Sequence, residues 1–170
     1  MDSKEQVKLK FGFYIVADII KKGLVVYILA ALLGVFLKVL IVHFSFLFLR
    51  QVTYGWHSRT NKGCILGSVF VFVIFPYAIN LVDLSATMVY GSSLIVIASI
   101  YLIGPIGTLI NPIQDEKKLL KNKLLIRLFL LLIFMCVIPL GVFQYILVGV
   151  TIQLTTLLIQ SLKNGGVKYG

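Results

Sequence analysis

Residues 23–49 read GLVVYILAALLGVFLKVLIVHFSFLFL, 27 positions that are apolar except for Lys38 and His43. A helix needs about 20 apolar residues to cross a bilayer. This run is therefore long for one crossing and short for two. Charge separates the alternatives. Lys21 and Lys22 precede the run, and Arg50, Arg59 and Lys62 follow it. Basic flanks favour the cytoplasmic side, so both ends belong on one face and the chain turns back near Gly34–Lys38. The expectation is a hairpin of two short helices, with a single tilted crossing as the alternative.

The remainder of the chain supports a membrane reading. Of 170 residues, 59% are hydrophobic and 13% charged, with a mean hydropathy of +1.02. A soluble domain of this length has too few polar residues here to cover its surface. The length suits one integral-membrane domain, residues 1–170, with no separate soluble domain. The net charge of +10 is spread over short basic clusters between apolar runs. That pattern sets topology and does not point to nucleic acid. No cleavable leader is expected, because Met1–Lys10 mixes both charge signs and no small-residue cleavage site follows.

Before the hairpin, residues 3–22 interleave Lys4, Glu5, Lys8, Lys10, Asp18, Lys21 and Lys22 with large apolar side chains. This predicts an amphipathic helix lying in the interface. The start of the first spanning helix is the alternative. After the hairpin, residues 64–82 form a span, and Asp83 with Ser85 marks a short external loop without Lys or Arg. Residues 86–104 return to a basic cytoplasmic loop, 105–123. Residues 124–141 cross again, turn at Pro139–Gln144, and 145–162 come back. The fold class is thus all-α and polytopic, with about six membrane helices, the first pair short. Small and hydroxyl residues within spans, such as Ser92, Ser93, Ser99, Gly149 and Thr151, suit close helix packing.

Polar chemistry concentrates between residues 50 and 64, on the cytoplasmic face in this topology. His57 and Cys64 lie seven positions apart there. A thiol with an imidazole in reach can attack a carbonyl. On one continuous helix the two would stand about 10 Å apart along the axis, so the backbone must fold back between them. Gly55, Asn61 and Gly63 permit this, and the helix is expected to restart near Cys64. A helix N-terminus, Lys62 and Arg59 favour the thiolate, while the low dielectric of the membrane edge opposes it. Backbone N–H groups at the helix start are candidate oxyanion donors. On spacing alone, Cys64 also reads as a small residue opening a span and His57 as a polar loop residue.

Other ionisable groups read as structural. His43 is expected to hydrogen-bond a neighbouring helix, and Lys38 to snorkel. The pairs His43–Cys136 and His57–Cys64 fall at different depths, so neither a zinc site nor a disulfide is expected. No metal or other cofactor is called for.

The loop resembles that of the accessory gene regulator B (AgrB) family of membrane cysteine endopeptidases. The matching residues are Arg50, then Gly55-Trp56-His57, then Cys64. The likeness extends to Lys8-Leu9-Lys10-Phe11-Gly12, to Val42–Arg50, to the span with Pro76, and to the segment from Asn111-Pro112-Ile113 to Lys123. Family members often carry paired arginines where Arg50-Gln51 stands, and alanine where Ser58 stands.

The resemblance implies an enzyme that removes the C-terminal part of a small signal propeptide. Cys64 would form an acyl-thioester, and an internal nucleophile would release a cyclic thiolactone or lactone used in quorum sensing. It implies a propeptide with an amphipathic N-terminus and an acidic C-terminal tail. Arg50, Lys62, Lys117, Lys118, Lys121 and Lys123 form a matching cationic surface, which otherwise serves only topology. The lipid bilayer is the other partner, and a homodimer fits the family. The rival readings are a small multispan transporter, expected to line several spans with polar residues, and a non-catalytic assembly factor.

Overall fold

A computed structural model describes residues 3–53, 61–106, 116–135 and 140–163, and every element in them is helical. The helices are α1 (Ser3–Leu32), α2 (Phe36–Thr53), α3 (Asn61–Val69), α4 (Phe75–Asn80), α5 (Ala86–Ile103), α6 (Glu116–Met135) and α7 (Leu140–Lys163). A π-helical turn, Phe70–Ile74, joins α3 to α4. Four stretches are long and apolar enough to cross a membrane: Phe36–Thr53, Lys62–Asn80, Ala86–Ile103 and Gly141–Lys163. The chain is an all-α protein with the helices of a multi-pass membrane protein.

The 23–49 run does turn back. Gly34 has φ +69°, a left-handed conformation that glycine adopts without a Cβ penalty. The Val35 N–H bonds the Ala30 carbonyl at 2.9 Å and the Gly34 N–H bonds that of Ala31 at 3.1 Å. This is the paired closure of a Schellman motif. Its usual apolar contact is present too, since Val35 and Ala30 are both buried in one core cluster. The turn is tighter than Gly34–Lys38, because α2 starts at Phe36 and takes Lys38 into its first turn. Across the hairpin the Tyr27 hydroxyl and His43 Nδ1 lie 2.6 Å apart. His43 is thus a satisfied packing residue, also 4.7 Å from the Phe72 ring.

On the N-terminal side there is no break at residue 22. One helix runs through both the amphipathic stretch and the first arm of the hairpin. At 1.5 Å per residue, its 30 residues span about 45 Å, well beyond a hydrocarbon core of about 30 Å.

Helices α2 and α7 form the central pair, with α5 on α7 and α6 on α2 and α5. Gly149 of α7 makes the central approach possible. A Cβ there would overlap Ser45 Oγ and the Val42 carbonyl and stand 3.1 Å from the Phe46 nitrogen. The span hydroxyls mostly bond carbonyls of their own helix, as Ser92, Ser99 and Thr151 do. They permit packing rather than bridge helices. The π-helical turn has its own cause. Pro76 has no N–H, and its ring crowds the carbonyl four residues back. The preceding Phe75 N–H bonds the Phe70 carbonyl, and the wider turn relieves the conflict.

Two ends of the bundle are defined by contacts. At one end the Lys38 ammonium donates to Asn80 and lies 5.8 Å from the Tyr145 ring. This joins the hairpin turn, the end of α4 and the start of α7. Ser85 nearby caps α5, its Oγ accepting from the Met88 N–H at 3.3 Å. At the other end Thr53, Ile106, Ile126 and Gln153 converge. The Ile106 N–H bonds the Thr53 carbonyl at 3.2 Å, and Gln153 Nε2 donates to Thr53 Oγ1 at 2.6 Å.

Two expected boundaries shift. The basic segment 105–123 becomes helical from Glu116, so its lysines ride on the first turns of α6. Gln144 lies inside α7 rather than in a turn. Lysine and glutamine are both good helix formers, so α6 begins among its lysines and Gln144 falls in the second turn of α7.

Candidate active site

The site is built at the end of the bundle where α2 stops. Thr53, the last residue of α2, is fully buried and held from two sides. Its Oγ1 donates to the Leu49 carbonyl at 2.8 Å and accepts from Gln153. Thr156 Oγ1 completes the network by donating to Gln153 Oε1 at 3.1 Å. A buried amide without a partner costs roughly 1–3 kcal/mol, so this interlock fixes the point from which the chain leaves α2. Gly104 packs beside it: a Cβ there would lie 3.1 Å from the Ile100 carbonyl and in ordinary contact with Thr53 Cγ2 at 3.6 Å and Ile126 Cδ1 at 3.7 Å.

Segment 54–60, which includes His57, lies outside the described residues. Cys64 is described. It is half-buried, a free thiol, and sits fourth in α3, which restarts at Asn61. The helix thus begins three residues earlier than Cys64, and the thiol lies at the end of its first turn. Arg50, in the last turn of α2, is half-buried, with its guanidinium 5.4 Å from the Phe46 ring and within electrostatic range of Cys64. Lys62 is exposed beside it in sequence. Cys136 lies outside the described residues.

Sequence reasoning missed two residues here. α1 packs against α3, and this brings Lys22 within electrostatic range of Cys64. The Lys22 ammonium pairs with the Asp18 carboxylate one turn back. The bond to Asp18 raises the Lys22 pKa above its ordinary value, and desolvation opposes this. The Asp18–Lys22 spacing of four is the usual helical ion-pair interval. That signal was present, but it blends with an amphipathic helix start.

The basic residues of α6 form a separate group. Lys117, Lys121 and Lys123 are exposed, and Lys118 lies on the same turns. Arg127 stands 4.9 Å over the Tyr101 ring. With Lys123 it lines a cavity of about 160 Å³ that also includes Tyr101, Gly104 and Ile126. α6 packs on α2 and α5, whereas α3 packs on α1. The α6 cations and Cys64 therefore belong to different helix pairs, linked by the end of α2. Asn122 faces inward on α6, buried, and its Nδ2 finds no partner among the described residues.

The family model described as Accessory gene regulator B matches residues 1–157. An Accessory gene regulator protein B of Staphylococcus intermedius is 34% identical over 155 residues, covering 91% of this chain and 82% of the relative. The protein of the same name from Staphylococcus aureus (strain bovine RF122 / ET3-1) is 28% identical over 159 residues, 93% of this chain and 85% of its own. That of Staphylococcus saprophyticus is 29% identical over 137 residues, 81% and 71% respectively. No solved structure matches. With a family match over nearly its whole length, the chain belongs to the accessory gene regulator B family.

Proposed function

We propose that this protein is a membrane cysteine endopeptidase that shortens a small signal propeptide and promotes its cyclisation for quorum sensing. The observation that carries the reading is Cys64: a half-buried thiol in the first turn of α3, with cations from α1 and α2 around it. Such surroundings suit a reactive thiol better than an inert packing residue. The chain's family membership supports the same conclusion.

In this mechanism His57 takes the Cys64 proton, and the sulfur attacks the scissile carbonyl. First-turn amides of α3 face the developing oxyanion. The C–N bond then breaks, and His57 returns the proton to the leaving amine. The N-terminal fragment stays on Cys64 as an acyl-thioester. An internal thiol or hydroxyl of that fragment next attacks the thioester and passes its proton to the Cys64 sulfur as that bond breaks. The exchange conserves a thioester when the attacker is a thiol, and the tethered nucleophile gains from high effective concentration. A site at the bilayer edge limits competing water. Lys117, Lys118, Lys121 and Lys123, with Arg50 and Lys62, attract the acidic tail of the propeptide at the cytoplasmic face.

The test is mass spectrometry of cells co-producing this protein and the propeptide encoded beside it. The wild type should yield a C-terminally shortened peptide, lighter by one water than the linear fragment. Cys64→Ser should leave the propeptide intact; equal processing by both would make Cys64 structural.

A further inference from the structure

Lys123 and Arg127 stand four residues apart on α6 and so share one side of that helix. With Tyr101, Leu102 and Gly104 from the end of α5, they line the cavity of about 160 Å³. Arg127 is held there, its guanidinium 4.9 Å over the Tyr101 ring. Neither cation has an acidic partner among the described residues. α5 carries no Asp or Glu. The one acid of α6, Glu116, opens the helix, about 10 Å along the axis from Lys123. Two positive charges thus share one small hollow with no counter-charge beside them among the described residues. Lys121 belongs to another side of α6, because two residues turn a helix by about 200°.

The depth of the cavity points to its ligand. The apolar stretch Ala86–Ile103 ends beside it, and after Arg127 α6 has no charged residue as far as Met135. Aromatic and basic side chains at the end of a span sit among lipid headgroups. Leu102, part of the lining, and Leu124 and Leu128, next to the two cations in sequence, are exposed. A soluble anion has no use for these leucines. A phospholipid sets its phosphate on the cations and its acyl chains along the leucines. We propose that this hollow binds the phosphate of one anionic phospholipid, with Lys123 and Arg127 as its counter-charges and Tyr101 as the platform that orients the guanidinium. Basic pockets between membrane helices bind headgroups in this way. Arginine suits the role, because its planar fork can take two phosphate oxygens while its face stays on a ring. The uncompensated charge favours a headgroup whose phosphate is not neutralised by a cation of its own. The site is separate from Cys64 and independent of the peptidase reading.

The experiment gives full-length protein in neutral detergent equal concentrations of phosphatidylglycerol and phosphatidylcholine, and native mass spectrometry counts the lipids retained. The wild type should keep one phosphatidylglycerol per chain in preference to phosphatidylcholine. Lys123→Gln and Arg127→Gln should each weaken that retention about fivefold, and the double variant about thirtyfold, the effect of one and two cations at a headgroup. Both side chains are exposed, so the fold should survive. Arg127→Lys should fall between wild type and Arg127→Gln, since the charge stays but the fork and its stacking are lost. Lys10→Gln/Lys21→Gln removes the same net charge from exposed positions on α1 and should leave retention unchanged. A loss there equal to that of the cavity variant would show unspecific attraction and overturn the proposal. Equal retention of the two lipids by the wild type would overturn it as well. Glycerol 3-phosphate, which has the phosphate without the chains, should fail to displace the lipid at equal concentration; displacement would make this a site for soluble anions. Displacement by the propeptide would reassign the hollow to the peptide's acidic tail.

Discussion

Gly149→Ala tests the packing that holds the site. The added methyl would overlap Ser45 Oγ and the Val42 carbonyl and lie 3.1 Å from the Phe46 nitrogen. Ser45 has little room to swing away: it is buried, and its hydroxyl donates to the carbonyls of Ile41 and Val42 at 2.9 and 3.0 Å. Two of the three obstructing atoms are backbone, so relief requires α2 and α7 to separate. Overpacking of this kind costs about 1–3 kcal/mol, and the backbone obstruction places it at the upper end. For a chain of this length that corresponds to an apparent Tm lower by roughly 6–10 °C. Because α2 carries Arg50 and Thr53, separation should also lower propeptide processing. Ser45→Gly in the same chain should recover only part of the loss, since the Val42 carbonyl stays. Gly91→Ala is the control, as a Cβ there meets nothing within 4 Å; in a helix interior it should be neutral or slightly stabilising. The assay is thermal unfolding in detergent together with processing by mass spectrometry. A Gly149→Ala protein melting within a degree of wild type would refute the argument.

Thr53→Val should cost about 1–3 kcal/mol by stranding the Gln153 amide, and Gln153→Leu added to it should restore part of the melting temperature. Charge reversal at Lys121 and Lys123, both exposed, should slow processing several-fold at low salt with Tm unchanged; salt should erode the difference as screening grows, and an indifferent rate would leave these lysines a topological role. The raised pKa of Lys22 gives a pH prediction. A group whose pKa rises on folding stabilises below its unfolded value, near 10.4, and loses that contribution as pH climbs through the folded value. The Tm gap between wild type and Lys22→Gln should therefore stay constant from pH 6 to about 9 and close only in more alkaline buffer.

Much of the fold was legible because bilayer and charge impose strong patterns. The 23–49 hairpin followed from run length and basic flanks, and Gly34 supplied the left-handed residue that closes it. The loop at Asp83 and Ser85 was equally plain, since Ser85 caps α5. Helix ends were less legible. Residues 20–24 contain no proline, and the single Gly23 is tolerated within the helix, so α1 continues through the point where composition changes. Lysines at 117–123 read as a loop by charge, yet they are also good helix formers, and α6 begins among them. The candidate site was half legible. Cys64 and Arg50 announced themselves in a polar segment, but the nearness of Lys22 depends on how α1 packs on α3. The Thr53–Gln153 bond, a hundred residues long-range, had no local signature at all.

The central claim is that Cys64 carries the peptide. It is tested most directly by intact-mass analysis of the protein after brief mixing with propeptide and acid quench. The account predicts a wild-type adduct equal to the N-terminal fragment less one water, removed by hydroxylamine as a thioester and absent from Cys64→Ser. An adduct that persists in Cys64→Ser, or processing by Cys64→Ser at the wild-type rate, would contradict it.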